Sequence, residues 1–278
     1  MSYIERIRRF RQASKSDQRA AIKATLRTVF DSEARRLYGF LTGANAPPRV
    51  LRSNEKMYVA YRPDSDVLFN RHPELGLLSE NWISRNLKNN AGDLPRLYSF
   101  ILNIKQIIDE NIPGDMAELG VFRGNSAASL AHYARASHKN VFLFDTFEGF
   151  DTRDLTGVDQ AKGVEFADTS LDEVRALVGD ENVTYVKGRF PESIPPDLYS
   201  KQFCIAHIDC DLYEPGKAGL EFFYPRLAPG GLLIVHDYGN PFWDGMKRAV
   251  DEYCRTIPER PLVFGDKSGT AMIRKSVA

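Results

Sequence analysis

The 278-residue chain predicts an α/β fold, a mostly parallel sheet with helices on both faces. Three observations predict it. Short apolar runs alternate with segments of helical period from about residue 113 to 253, and the first run breaks into a glycine turn that restarts as a helix. The second run then closes on an acid, Asp145, 25 positions after Gly120. In a nucleotide-binding βαβ unit, a carboxylate about 20 residues beyond the glycines accepts hydrogen bonds from ribose hydroxyls.

Each element has its own signal. Residues 17–41 repeat Ala21, Ile22, Val29, Phe30, Leu37, Tyr38 and Leu41 at three- and four-residue steps, the period of an amphipathic helix that Gly43 ends. Residues 44–49, with Pro47-Pro48, read as a loop or linker, and residues 51–90 are irregular and polar, a candidate lid over a substrate. Asp93 as a cap and Pro95 in the first turn start a helix with an apolar stripe of Leu97, Phe100, Ile101, Ile104, Ile107 and Ile108. Strands are expected at 116–119, 141–145, 182–186, 203–208 and 232–235, with helices at 126–136, 170–179, 215–224 and 243–253. Residues 262–264 and 270–274 flank a glycine-bounded turn and read as an antiparallel hairpin, completing seven strands. The expected division is an N-terminal helical or lid region over 1–110 and a cofactor-binding domain over 111–278.

Composition narrows the function. No apolar run approaches the roughly 20 residues of a membrane span, and the arginine-rich N-terminus lacks a signal-peptide core. A soluble, cytoplasmic protein is expected, in keeping with three widely spaced cysteines, Cys204, Cys210 and Cys254. Lys and Arg number 19 against 12 Asp and Glu in residues 1–110, and 18 against 25 in residues 111–278. The half that carries the glycine turn is thus acidic, which argues against a nucleic-acid substrate there.

The glycine turn itself, Gly120 to Gly124, fits a cofactor whose charged end approaches a helix N-terminus, because glycine accepts positive φ and lacks Cβ. Spacing alone leaves a plain strand-to-helix turn as the alternative, and Asp145 tips the balance. Ligands of open α/β sheets bind beyond the carboxyl ends of the strands, where Glu118, Asp145, Gly188, Asp209, Asp211, His236 and Asp237 collect. Such oxygen ligands suit Mg²⁺ or a similar cation, which lowers the pKa of a substrate hydroxyl. Asp211 has a plainer reading as a cap on the helix that follows.

At these residues the chain resembles a known family. Glu118-Leu-Gly-Val-Phe-Arg-Gly124, Phe144-Asp-Thr-Phe-Glu-Gly-Phe150, His207-Ile-Asp-Cys-Asp-Leu-Tyr213 and residues 224–239 look like the macrocin O-methyltransferase (TylF/MycF-type) family. The resemblance spans roughly residues 113–253. It implies a Rossmann-like class I methyltransferase fold, S-adenosylmethionine (SAM) as cofactor, usually Mg²⁺, and a sugar hydroxyl of a natural product as acceptor. By that resemblance Glu118, Gly120, Val121, Phe122, Gly124 and Ser126 hold the methionine part of SAM. Asp145 and Thr146 take the ribose, and Gly188 and its neighbours the adenine. Asp209 is then a metal ligand close to SAM and the expected general base. One departure stands out: His236-Asp237 occupies the place where the family usually has two acids. Imidazole is a poor Mg²⁺ ligand and a good proton acceptor near neutral pH. Either Asp209, His236 and Asp237 hold a metal whose identity His236 adjusts, or His236 is itself the base.

Other readings fit less well. An NAD-dependent oxidoreductase lacks its Gly-x-Gly-x-x-Gly here, Asp209-Cys-Asp211 matches the Asp-x-Asp of glycosyltransferases without its context, and a non-catalytic nucleotide-binding protein has no use for a crowded acidic edge. The expected partners are a small hydroxylated acceptor and a second copy of the chain, as a homodimer or higher homo-oligomer.

Overall fold

The computed structural model describes residues 50–53, 56–59, 72, 74–86 and 92–277. The helix expected over 17–41 and the linker over 44–49 lie outside them. Two compact units divide the chain, Met1–Gly76 and Leu77–Ala278. In the first, strands β1 (Val50–Ser53) and β2 (Lys56–Val59) pair antiparallel. Helix α1 (Glu74–Asn86) also falls in the stretch read above as irregular. The two strands are only four residues each, too short to show alternation, whereas α1 does carry Leu75, Leu78 and Trp82 at helical spacing, a signal the reading of this stretch as irregular passed over.

The second unit holds α2 (Leu94–Asp109), β3 (Asp115–Leu119), α3 (Asn125–Ala136), β4 (Val141–Asp145), α4 (Leu171–Val178), β5 (Val183–Lys187), β6 (Phe203–Ile208), α5 (Tyr213–Arg226), β7 (Leu227–Val235), α6 (Asp244–Tyr253), β8 (Leu262–Val263) and β9 (Ala271–Arg274). Its sheet runs β5-β4-β3-β6-β7-β9-β8, parallel from β5 to β7, with β9 antiparallel to both β7 and β8. This is the expected seven-stranded sheet with its C-terminal hairpin. The strand order steps outward from β3 in both directions, so the crevice between β3 and β6 is the switch point where such sheets bind ligands.

Alternation along the strands sorts the helices. Ala117, Leu119, Phe142, Phe144, Ala206, Ile208, Leu233 and Val235 pack in one cluster with Leu220, Phe222 and Phe223 of α5 and Met246, Ala249 and Val250 of α6. Their neighbours in sequence, among them Glu118 and His207, face the other way. There α3 reaches the sheet through Ser126, whose hydroxyl bonds Glu118, and α2 through Phe100, whose ring centroid lies 4.9 Å from that of His207. With both faces covered, the central strands are largely apolar, and the polar residues they bury, Glu118 and His207, meet each other across β3 and β6. Helix α2, which the sequence division placed in the N-terminal region, therefore contributes directly to this core: Leu97, Ile101, Ile104 and Ile107 are fully buried.

Two termini carry the predicted caps. Asp93 accepts from Arg96 N at the start of α2, and Ser170 caps α4 by accepting from Glu173 N, while the Glu173 carboxylate accepts from the Ser170 hydroxyl in place of the backbone N–H of a full capping box. Helix α5 runs two residues further at each end than its period suggested. Pro215 sits in its first turn, where no amide is needed, and Pro225 lies next to its last residue. Among the described residues no helix is long and apolar enough to cross a membrane.

Candidate active site

One cavity opens at the carboxyl ends of β3, β4, β6 and β7, with the loop after β5 also in its wall. Of the residues singled out by sequence, Gly120, Val121, Phe122, Ser126, Asp145, Thr146, Gly188, Asp209, His236 and Asp237 line it. Glu118 and Gly124 do not. Gly124 is the left-handed N-cap of α3, φ 79°, and offers no side-chain cap. The first-turn amides of α3 are thus left to other partners, and the buried amide nitrogen Nδ2 of Asn125, also in the wall, has none within the protein. That combination suits the polar end of a nucleotide-derived cofactor. Glu118 lies behind the turn, fully buried, with Oε1 accepting from Ser126 and 2.9 Å from His207 Nδ1, while Oε2 has no partner.

Gly120 answers to a packing demand as well as a ligand. With φ at 86°, a Cβ on it would lie 2.1 Å from the backbone oxygen of Asp209. The turn therefore seats directly on the end of β6, and cofactor loop and acidic edge are fixed against each other. Asp145 is tied in similarly: Oδ2 accepts from Val121 N at 2.6 Å and Phe122 N at 2.9 Å, and Oδ1 from Phe147 N at 2.6 Å. The acid at the end of β4 braces the glycine turn, a role its position in the sequence did not announce.

Across the cavity lies a charged cluster. Asp209, His236 and Asp237 bring one donor atom each to within 4.8 Å of one another. His236 Nδ1 is 2.8 Å from Asp209 Oδ1 and 2.7 Å from Asp237 Oδ2, but neither contact has hydrogen-bond direction, and both ring nitrogens are buried without a partner. The outer oxygens are anchored: Asp209 Oδ2 accepts from Arg96 Nη2 at 2.5 Å, and Asp237 Oδ1 from Asn240 Nδ2 at 2.7 Å. Burial alone would raise the Asp209 carboxyl, but Arg96 and His236 outweigh it and hold the group well below the usual carboxylate range. Burial and the Arg96 charge press His236 down, and the two flanking carboxylates more than reverse this, lifting it to about 9. Asp211, in the same wall, is pushed up by burial and then by Asp237 and Asp209. Asp211 and Asp237 both hold left-handed backbone, φ 61° and 59°, as does Phe122 at 49°. Strained conformations of non-glycine residues collect at functional sites, where the surrounding packing holds them.

Reading the sequence missed Arg96, although a signal existed. It stands one turn before Phe100 on the stripe that α2 buries, where a lone charge requires a partner. Its guanidinium carbon lies 5.6 Å from the Trp82 ring centroid, and Trp82 in turn donates Nε1 to Asp93 O at 2.9 Å. An aromatic wall completes the cavity: Phe150 and Phe166 are 5.2 Å apart, Phe150 and Trp243 5.6 Å, Phe122 and Phe166 5.1 Å.

A glycine turn at the switch point, a brace at the second strand and an acidic edge beside them define a nucleotide-cofactor enzyme of the α/β class. Comparison with known proteins sharpens this. Residues 92–270 match the macrocin O-methyltransferase (TylF) family, and the chain belongs to that family as an SAM-dependent O-methyltransferase. It is 29% identical over 191 residues, 64% of this chain and 71% of the other, to the 8-demethyl-8-(2,3-dimethoxy-alpha-L-rhamnosyl)-tetracenomycin-C 4'-O-methyltransferase of Streptomyces olivaceus. To the mycinamicin III 3''-O-methyltransferase of Micromonospora griseorubida it is 24% identical over 204 residues, 64% of this chain and 79% of the other. The solved structure of the O-methyltransferase NovP shares the fold, with TM-score 0.61 at 22% identity, covering 73% of this chain and 98% of that one.

Proposed function

We propose that the protein methylates a sugar hydroxyl of a glycosylated natural product, with a divalent cation at Asp209, His236 and Asp237. The observation that carries this is the three-donor cluster, His236 and Asp237 buried and Asp209 half-buried, standing in one cavity with the glycine turn. By their names one relative methylates a rhamnosyl-tetracenomycin C and another mycinamicin III, which supports a role in antibiotic biosynthesis. Bound SAM supplies an electrophilic methyl group, and a bound cation lowers the pKa of the acceptor hydroxyl.

The chain's own residues do the rest. Gly120 to Ser126 and the first turn of α3 receive the amino-acid end of the cofactor, with Glu118 acting from behind by fixing Ser126. Asp145 holds the amides of Val121 and Phe122 in place through Oδ2, and its Oδ1, which already accepts from Phe147 N, is the oxygen that would meet a ribose beside Thr146. Gly188, where a Cβ would strike Ser193, puts bare backbone in the cavity wall where the adenine would lie. Asp209 and Asp237 each present one oxygen, because Arg96 and Asn240 occupy the other. The Arg96 bond also makes Asp209 a weaker base than its position suggested, so its first role is as ligand. Asp211, two residues on, is pushed up by burial and by Asp237 and Asp209, so it stands in the wall as a proton-holding neighbour of the cluster. The aromatic wall receives the apolar part of the acceptor and excludes water from the transfer.

All three cysteines are free, which supports a cytoplasmic setting, and the exposed Leu262 and Val263 on edge strand β8 support self-association as a homodimer. The test is SAM titration followed by labelled methyl transfer to glycosylated metabolites, with and without EDTA. Asp209→Asn is expected to bind SAM normally and to lose turnover by roughly 10²- to 10⁴-fold. Absence of SAM binding by the wild-type protein sinks the reading. Near-normal turnover in the variant removes Asp209 from it.

A further inference from the structure

We propose that the Asp209–His236–Asp237 centre selects a first-row transition cation over Mg²⁺, and that His236 is the residue that makes the selection. This rests on the reading above that the centre holds a cation, and takes it further to which cation.

The first argument is the state of the imidazole. Buried polar atoms are satisfied in the large majority of cases, yet Nδ1 and Nε2 of His236 both lack a hydrogen-bond partner while the side chain is 8% exposed. Nδ1 points among carboxylate oxygens at 2.8 and 2.7 Å without bonding either. Three donor atoms crowded without mutual hydrogen bonds are arranged as ligands are, around a shared point.

The second argument is how the carboxylates are held. Each has one oxygen fixed from outside, by Arg96 on Asp209 and by Asn240 on Asp237, and one turned to the histidine. Anchoring of this kind sets ligand orientation in metal centres. It also limits both acids to one donor atom, so the set the protein offers is one nitrogen and two oxygens. Mg²⁺ prefers oxygen and water in near-ideal octahedral geometry, whereas imidazole suits Fe²⁺, Co²⁺, Ni²⁺ and Zn²⁺.

The third is charge. Asp209, Asp211 and Asp237 meet at the cavity wall with Arg96 as the one permanently charged cation at hydrogen-bond distance among the described residues. With the imidazole acting as a neutral ligand, a divalent ion balances the negative charge of Asp209 and Asp237 that Arg96 does not cover.

The full-length protein, stripped by chelation, is dialysed against mixtures of Mg²⁺ and Co²⁺, and bound metal is counted. Co²⁺ is expected at one per chain, with a hyperfine-shifted exchangeable imidazole N–H resonance in the proton spectrum. Since any such site favours Co²⁺ to a degree, the decisive quantity is the Co²⁺ to Mg²⁺ affinity ratio, expected to fall roughly 100-fold in His236→Asp. An unchanged ratio in a variant that still binds SAM overturns the proposal, as does a Co²⁺ protein without the imidazole resonance, a measurement that needs no variant. If no ion binds stoichiometrically, His236 is a charged bridge between two carboxylates and the proposal fails. SAM titration in the same samples keeps this apart from the methyltransferase reading, which fails only if SAM does not bind.

Discussion

The two sides of the cavity are finished differently. On the glycine-turn side, Asp145 gives both oxygens to backbone amides, and Gly120 is pressed so closely on Asp209 O that no side chain fits. On the β6–β7 side, His236 keeps two buried nitrogens without partners amid two anchored carboxylates. The first side is rigid before anything binds, as preorganised recognition of a common cofactor requires. The second concentrates charge whose balance depends on what enters. Specificity for cofactor is therefore built from backbone, and reactivity from side chains that Arg96 and Asn240 hold in place.

The largest expected effect comes from breaking the rigid side. Gly120→Ala puts a methyl group into the carbonyl of Asp209 in a conformation L residues resist, a strain on the order of 3 kcal/mol or more. Because the clash is backbone to backbone, no rotamer relieves it. SAM affinity should collapse and the melting temperature fall together, read by titration and by calorimetry. A variant that melts normally and binds SAM would show that the turn is less rigid than its geometry implies.

Perturbing the other side should separate binding from turnover. Arg96→Lys keeps the charge but loses the planar fork that reaches Asp209 over Trp82, and such changes of anchoring typically lower activity or metal affinity by about 10- to 100-fold. The expected signature is a fall in kcat with the KM for SAM nearly unchanged. Arg96→Met leaves the half-buried Asp209 with His236 alone as its charged partner, so it should also lower stability modestly. If Lys and Met behave alike and stability alone changes, Arg96 serves the core and not the reaction.

How much of this could be read from the chain differs between the sides as well. Strand, turn, helix, strand and acid are local in sequence, so the β3–β4 unit was legible within a residue or two. That the remaining strands run parallel followed from their alternation with helices, and that Asp209, His236 and Asp237 share one edge followed from their places at strand ends, but the order of strands in the sheet did not. Arg96 was not legible as a site residue, because its partner is 113 positions away and only the fold brings them together. The brace made by Asp145 was hidden for a similar reason: a carboxylate that bonds amides of a preceding turn has the same sequence signature as one reserved for a ribose. Strands β1 and β2, four residues each, are too short to show a period, whereas α1 carried one in Leu75, Leu78 and Trp82 amid polar neighbours.

The smallest effect lies away from both sides and gives the background against which the others are measured. Glu259 accepts from Ser276 N at 2.8 Å and Ser276 Oγ at 2.6 Å through Oε1, and from Tyr224 Oη through Oε2, tying the C-terminal segment to α5. Burial would raise this carboxyl, but the Ser276 and Tyr224 bonds outweigh it and bring it to about 2. A carboxyl lowered on folding stabilises above its unfolded pKa, about 4.3, and that contribution drains away as pH falls toward the folded value. Glu259→Gln should therefore be less stable than the wild type at pH 6, with the gap narrowing steadily between pH 5 and pH 3. Because the group is half-exposed, the gap should be modest. Denaturant titrations of both proteins across that range measure it, and a gap that does not change with pH would place the C-terminal tie in packing and not in charge.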